Sequence, residues 1–551
     1  MTEETTPIAP LRSTLERPLD VASNRPGAAG GGTLAYLVPD LAPAGIEVIG
    51  QPDEAVLDTL RRLAGEGGLL VRESVASGPP AGAEQDPAVA WLVGTAGLEA
   101  IATGAATATG AHTGATEQRL ARASAVIVDG VGQTGAERAR AGLAALGFET
   151  TILSTLVTDG LVTRVEPGEA DLAIPAPSMV EGGAVQATLR RTWQRVRGRH
   201  PSRTAPGRAV LAGHDDPHLP PAWARRLLAT AGLDGAAYTW SLASPGRYDT
   251  QKLLLRLRPS DPADQPLIVK LTRDARHADR LATEAAALQA LAAMGPLEGV
   301  VVPRLVAAGP VGRSFAAVET LIDGRPLPPI LRATGDDLVD APVDALISLA
   351  TASVRVVPGT ALAGPLGRLL ERYLTVYAAT MAERDLLEHL LGTIGEAPNL
   401  PIVAQHGDPG TWNLLLAPDG RIGLLDWESF EPDGPPLWDL WHLVRSITLD
   451  LDPGWLPGRR LAYLTDAFLE TGRANDRIVR ATGRYRAAVP VDDRLILPLL
   501  LFGFLHRTLK ESTRMAPGKV GDGHYARFLR RLLARPDAPG LRRLTGARDP
   551  G

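Results

Sequence analysis

The chain has 551 residues, which is too long for one typical domain and predicts two or three. It contains no cysteine, which excludes disulfides, thiolate metal sites and cysteine nucleophiles. Its net charge of −5 and scattered basic residues give no sign of nucleic-acid binding, and its longest apolar run, 495–505, is too short to span a membrane. With no secretory leader pattern in sight, we expect a cytoplasmic protein.

Composition divides the chain into four segments. Residues 1–32 are rich in Thr, Pro and Gly and are predicted to form a disordered tail. Residues 33–198 carry alternating strand and helix patterns and are predicted to form an α/β domain. Residues 199–221 contain five prolines and are predicted to be a linker. Residues 222–540 are predicted to form a second domain.

The first domain contains a glycine motif after a short apolar strand. Residues 126–128 precede Gly130, Gly132 and Gly135, and a helix pattern follows, as in a Rossmann-type turn. Residues 53–72 and 147–165 faintly resemble pieces of class I methyltransferases. The domain would then be a degenerate relic of such an enzyme. Two interpretations of the glycine motif stay open: a nucleotide or S-adenosylmethionine site, or a structural strand-turn-helix, since 58 glycines make accidental matches frequent.

The second domain begins with β-rich segments. Residues 238–242 and 252–257 are predicted strands around a turn at Gly246. The apolar run 267–271 holds Lys270, one of only four lysines in the chain. A lysine within such a strand is costly unless it is paired, and Glu284, on a helix predicted over 275–294, is the natural partner. An edge-strand lysine with its ammonium group in water is the alternative.

The most informative stretch is His406-Gly407-Asp408, followed by Asn413 and then by Asp426-Trp427-Glu428. It contains the groups that ATP-dependent phosphoryl transfer requires. Asp408 would accept the proton of a hydroxyl, and the oxygens of Asn413 and Asp426 would hold Mg²⁺. Residues 414–416 and 422–425, on either side of a turn at 418–420, are predicted to form a hairpin that delivers Asp426. Taken singly, each of the three is also common as a loop cap, a turn residue or a strand end.

The spacing H-G-D-x-x-x-x-N followed by D-W-E resembles the aminoglycoside phosphotransferase and choline kinase family of small-molecule kinases. The resemblance covers about residues 235–445 and none of the first 200. It implies an α+β, protein-kinase-like fold with a small β-rich N-lobe and a larger helical C-lobe. It also implies ATP and Mg²⁺ as cofactors and transfer of the γ-phosphate to a hydroxyl of a small molecule.

The resemblance further implies a nucleotide site. Lys270 would pair with Glu284 and reach the α- and β-phosphates, and the hairpin at Gly246 would cover them. The backbone around Glu319–Leu321 would bond the adenine.

The same resemblance implies supporting residues around the catalytic loop, residues 406–413. His406 and Asp439 would brace the loop. Glu428 would either support the metal site or face the acceptor, and the sequence does not separate these roles.

The C-terminal tail bears on the acceptor. Residues 430–551 contain 20 basic and 14 acidic residues, a net charge of +6, whereas a polycationic aminoglycoside favours an acidic pocket. A sugar or another metabolite is therefore favoured. Two other functions stay open: a non-catalytic, kinase-like scaffold that binds nucleotide, and a bifunctional enzyme whose first domain binds a nucleotide or S-adenosylmethionine.

Overall fold

The computed structural model describes residue 37 and residues 46–49, 54–64, 69–72, 89–93, 123, 125–131, 133–158, 161–167, 204–213, 216, 218–243, 252–452, 460–513, 515 and 518–546. The helices and strands below lie within these ranges.

The strands are β1 Ile46–Ile49, β2 Leu69–Arg72, β3 Val89–Val93, β4 Ala125–Val131, β5 Glu149–Thr158, β6 Leu161–Pro167, β7 Thr204–Gly213, β8 Tyr238–Ala243, β9 Lys252–Pro259, β10 Leu267–Thr272, β11 Val300–Val301, β12 Leu305–Val311, β13 Ser314–Thr320, β14 Arg325–Pro326, β15 Arg355–Val357, β16 Leu400–Gln405, β17 Leu414–Leu416, β18 Ile422–Leu424 and β19 Glu431–Gly434. The α-helices are α1 Glu54–Ala64, α2 Gln133–Ala145, α3 Ala222–Ala229, α4 Ala278–Met294, α5 Leu327–Thr334, α6 Asp340–Ser353, α7 Thr360–Val376, α8 Met381–Gly395, α9 Trp438–Leu451, α10 Arg460–Phe468, α11 Arg473–Ala488, α12 Asp493–Ser512, α13 His524–Ala534 and α14 Pro539–Thr545.

The described residues fall into two compact units, one drawn from 25–282 and 305–321 and the other from 283–304 and 322–551. The first unit is built on a sheet of order β12-β13-β10-β9-β8-β6-β5-β7-β4-β3-β1-β2. The run β4-β3-β1-β2 is parallel. The predicted strand-turn-helix is present as β4 followed by α2, although Gly132 lies outside the described residues.

Strand β7 differs from the linker predicted for this stretch. It pairs antiparallel with β4 on one side and β5 on the other, so it is a central strand of the sheet. Its apolar run, residues 209–212, is buried, and removing these side chains from water stabilises the strand in the sheet. Pro206 is tolerated because pairing with β4 begins only at Arg208, so the proline lies where the strand has a partner on one side only.

The antiparallel run β8-β9-β10-β13-β12 confirms the strands predicted over 238–242, 252–257 and 267–271. Leucines at alternate positions of β9, residues 253, 255 and 257, are buried on one face of the sheet. This face fixes the register of β9 against β10 and therefore the position of Lys270. Gly246 lies outside the described residues.

The second unit combines two small sheets, β11-β18-β17-β14 and β15-β16-β19, with helices α5 to α14. Its core includes α12, which buries most of the apolar run at 495–505 inside the protein. No helix among the described residues is long and apolar enough to cross a membrane. The α+β class predicted from the sequence is confirmed.

Candidate active site

The hairpin β17–β18 brings Asn413 and Asp426 together. Its register pairs Leu414 with Leu424, so the residues just outside this pair lie at one end of the hairpin. There the Leu425 N–H donates to the Asn413 carbonyl at 2.9 Å. Asp426 follows directly, and the hairpin predicted from residues 414–425 is confirmed.

Asp426 has an unusual backbone conformation. Its φ of 68° and ψ of 66° lie in the left-handed region, which a side chain with a Cβ atom rarely adopts. The next residue, Trp427, donates its N–H to Glu284 Oε1 at 3.2 Å, and Glu284 is fully buried. Glu284 therefore fixes the turn that follows Asp426.

Both ring nitrogens of His406 are engaged in structural contacts. Nδ1 lies 3.3 Å from the N–H of Asp408, and Nε2 lies 2.8 Å from the carbonyl oxygen of Leu425. The fully buried ring also packs on Trp427 at a centroid distance of 4.5 Å. With no ring nitrogen left for proton transfer, His406 links the catalytic loop to the end of β18.

Gly407 and Asp439 hold the other side of the loop. The Gly407 N–H donates to both carboxylate oxygens of Asp439, at 3.2 and 3.1 Å. Gly407 has a φ of +80°, and a Cβ atom there would overlap the carbonyl oxygen of Ser429. Only glycine fits this position without displacing the chain. Burial raises the pKa of Asp439, and the neighbouring charge of Arg507 only partly offsets this shift.

Asn413 and Asp426 have the donor atoms that a magnesium ion needs. The Asn413 Nδ2 donates to the Asp408 carbonyl at 3.0 Å, which leaves its amide oxygen as the acceptor. No group of three or more His, Cys, Asp or Glu side chains suited to a metal occurs among the described residues. Mg²⁺ commonly takes only one or two protein ligands and completes its shell with phosphate oxygens and water. This pair therefore fits a metal that arrives with a nucleotide.

Asp408 lies beside two cationic side chains, Arg507 and Lys510, and the imidazole of His442. Its Oδ1 is 3.1 Å from Arg507 Nη1 and 3.2 Å from His442 Nε2, and its side chain is 27% exposed. Burial alone would raise the pKa of Asp408, but Lys510, His442 and Arg507 together hold it well below its usual value. Asp408 is therefore ionised at neutral pH and reachable from solvent.

Three further residues of the site, His442, Arg445 and Arg507, were not predicted from the sequence. His442 and Arg445 are three residues apart on α9, and Arg507 and Lys510 are three apart on α12. This spacing places each pair on one helix face. The scarcity of lysine, which drew attention to Lys270, was the available signal for Lys510.

In the first unit, Lys270 pairs with Glu319. Their Nζ and Oε2 atoms are 2.9 Å apart, and both side chains are buried. Glu319 faces Lys270 because β10 pairs Lys270 with Ala317, two residues before Glu319. The pairing of Lys270 with Glu284 stays a prediction.

The N–H of Leu321, one of the backbone groups predicted to bond the adenine, already has a hydrogen-bond partner. This N–H donates to the Pro266 carbonyl at 2.8 Å, so this donor is used within the fold. The Glu319 backbone lies between its ladder partners Ile268 and Leu305.

Glu428 lies in the short 3₁₀ turn Trp427–Ser429 and is half-buried. Its two predicted roles stay open.

Comparison with known proteins identifies part of the chain. Residues 254–476 match the model of the phosphotransferase enzyme family. No curated protein matches the chain. Among solved structures, a thermostable mutant of aminoglycoside phosphotransferase APH(4)-Ia is 15% identical with a TM-score of 0.36, covering 57% of this chain and 99% of that one. Choline kinase LicA from Streptococcus pneumoniae is 16% identical with a TM-score of 0.28, covering 51% and 89%.

The family match carries the assignment. It includes Lys270, Glu284, Asp408, Asn413 and Asp426, which are the residues on which the predicted resemblance rested. The region 254–476 is therefore similar to the phosphotransferase enzyme family, whose model matches 223 of the 551 residues.

Proposed function

We propose that the chain is an ATP- and Mg²⁺-dependent phosphotransferase that moves the γ-phosphate to a hydroxyl of a small molecule. The observation that carries the proposal is the convergence of Asp408, Asn413 and Asp426, whose loop and hairpin are joined by the Asn413–Asp408 and Leu425–Asn413 hydrogen bonds. Residues 222–540 would form the catalytic domain, acting in the cytoplasm.

Each residue has a distinct role in this reaction. Asn413 and Asp426 would hold Mg²⁺, which neutralises phosphate charge when bound. Asp408 would accept a hydrogen bond from the acceptor hydroxyl and orient its oxygen toward the γ-phosphorus. A new oxygen–phosphorus bond forms, the bond to the ADP oxygen breaks, and the hydroxyl proton passes to Asp408.

The low pKa of Asp408 bears on the timing of proton transfer. A carboxylate whose ionised form is stabilised by Lys510, His442 and Arg507 is a weak base. Phosphoryl transfer passes through a loose transition state in which the attacking hydroxyl keeps its proton until late. Asp408 would therefore act mainly by orienting the hydroxyl.

A sugar or another neutral or anionic metabolite is favoured over an aminoglycoside. Arg507 lies against Asp408, and Lys510 lies close enough to lower its pKa. Positive charge at the position of the attacking hydroxyl would repel a polycationic acceptor.

The test is ADP release with Mg·ATP against pooled sugars, hydroxylated metabolites and aminoglycosides. Asp408→Asn is expected to lower kcat by about 10²- to 10⁴-fold while leaving nucleotide affinity nearly unchanged. Asp426→Asn is expected to weaken Mg·ATP binding, because it removes a charged ligand. Asp419→Asn is the control, since Asp419 is exposed on the turn of the same hairpin and, among the described residues, bonds to Arg421 alone.

Normal turnover in Asp408→Asn would refute its assigned role. Binding of Mg·ATP without turnover of any pool would favour the scaffold alternative. Absence of Mg·ATP binding by the unsubstituted chain would refute the proposal itself.

A further inference from the structure

Arg445 is a buried guanidinium that has no carboxylate partner among the described residues. Its side chain lies on α9 and is only 7% exposed. Its contacts are with His442 Nδ1, 3.4 Å from Nη2, and with the ring of Tyr525, whose centroid is 5.6 Å from Cζ. Arg445 forms no ion pair with any described residue, and its Nε has no hydrogen-bond partner there.

Two other arginines of the same unit, one buried and one mostly buried, do have counter-charges. Arg477 bonds to Asp336 at 2.6 Å, and Arg507 bonds to Asp408 at 3.1 Å. Removing a guanidinium from water is costly unless an anion compensates it. The contrast indicates that the counter-charge of Arg445 comes from a ligand.

A single residue, His442, connects Arg445 to Asp408. His442 lies between them, 3.4 Å from Arg445 and 3.2 Å from Asp408. Burial, together with Arg507 and Arg445, holds the pKa of His442 well below its usual value despite the opposing carboxylate of Asp408, so the imidazole is neutral. The carboxylates near these groups are Asp408 and Asp439, and burial raises the pKa of Asp439.

We propose that Arg445 binds an anionic group, a carboxylate or a phosphate, of the acceptor whose hydroxyl lies at Asp408. This inference rests on the proposed phosphotransferase function and names its substrate class. A guanidinium can hold either anion with two parallel hydrogen bonds. Because only one imidazole ring separates Arg445 from Asp408, the acceptor is a small hydroxylated acid or phosphate ester.

Matched acceptors test the proposal on the full-length chain. Glycerate and glycerol 3-phosphate are compared with glycerol, and glucuronate and glucose 6-phosphate with glucose, by calorimetric binding and by ADP release. We expect at least one anion to bind about tenfold or more tightly than its neutral counterpart. The carboxylate and phosphate arms distinguish the two sources of the anion.

Variants at Arg445 separate ligand binding from a structural role. Arg445→Leu is expected to abolish the preference for the anion, and Arg445→Lys to keep most of it. Because Arg445→Leu removes an uncompensated buried charge, the ligand-free Tm should stay the same or rise, whereas a structural role predicts a fall. Arg480→Leu is the control, since Arg480 is half-exposed on α11.

The outcomes distinguish this inference from the function on which it rests. Three results would each overturn the anionic site: neutral acceptors that bind as tightly as the anions, failure of every anion to bind, or an unchanged preference for the anion in Arg445→Leu. Turnover of a neutral acceptor would at the same time support the phosphotransferase function. Anion binding that depends on Arg445 without turnover of any acceptor would support the site and contradict the function.

Discussion

Two backbone positions shape the catalytic loop at the scale of single residues. Gly407 and Asp426 both have positive φ, at 80° and 68°. Gly407 avoids the strain because it lacks a Cβ atom. Asp426, which follows β18, has a Cβ atom and is therefore strained at its positive φ. Strained non-glycine residues are retained where the surrounding contacts fix them, and here Glu284 bonds to the next residue.

Replacing Gly407 tests this reasoning. Gly407→Ala is expected to lower the free energy of unfolding by about 1–3 kcal/mol, because the new methyl group overlaps Ser429 O at a positive φ. It should also lower kcat, since the loop that carries Asp408 must shift. Urea unfolding and ADP release measure the two effects.

Gly420 is the matched control for that substitution. Its φ is +85°, but a Cβ atom there would meet nothing within 4 Å. Gly420→Ala should therefore cost only the backbone strain of about 1–2 kcal/mol and leave kcat intact. Equal effects of the two substitutions on kcat would contradict the proposed overlap.

At the scale of elements, the sequence predicted those strands and hairpins that are determined by residues close together in the chain. The hairpin of β17 and β18 and the buried strand β10 follow from apolar runs, a glycine turn and a closely spaced motif. The partner of Lys270 was harder to predict, because Glu319 meets it only through the register of β10 against β13. His442, Arg445 and Arg507 were missed for a similar reason: packing of α9 and α12, distant in sequence from Asp408, brings them to the site.

Strand β7 was missed because Pro206, its two glycines and the prolines that flank it favour a linker. Its central place between β4 and β5 has a consequence for fragments of the chain. A fragment of residues 1–198 lacks this strand and should not unfold cooperatively, whereas a fragment of residues 1–215 retains it and should. Circular dichroism during heating measures the difference, and indistinguishable melting of the two fragments would show that β7 is dispensable.

The fragment experiment also decides how the first domain can be studied. The alternative of a nucleotide or S-adenosylmethionine site after β4 stays open. Ligand binding should be measured on a fragment that contains β7, because loss of a central strand would abolish binding for reasons unrelated to the site.

For the molecule as a whole, buried histidines predict how stability depends on pH. The folded-state pKa of His442 lies well below its usual 6.5, so below pH 6.5 the unfolded chain binds a proton that the folded chain does not. Stability should therefore fall as pH decreases from 6.5, by up to about 1.4 kcal/mol per pH unit for this group. His506, whose pKa burial also lowers, acts in the same direction.

Urea unfolding between pH 7 and pH 5 tests this dependence. His442→Gln should reduce the slope of unfolding free energy against pH, because it removes the imidazole whose pKa burial lowers. The stabilisation from the low pKa of Asp408 is present above its usual 3.8 and is lost only as pH falls through its folded-state value, so it does not enter this window. An unchanged slope in His442→Gln would show that its imidazole is protonated in the folded chain.

Trp412, in the loop between Asp408 and Asn413, gives the protein an optical probe of its own. Its indole is 58% exposed and meets the His442 ring edge-on at a centroid distance of 5.9 Å. Exposed tryptophan changes its emission when water around it is displaced or a neighbouring group moves. Occupancy of the acceptor position can therefore be followed by fluorescence before any product is known, with Trp412→Phe to separate its signal from that of the other eight tryptophans.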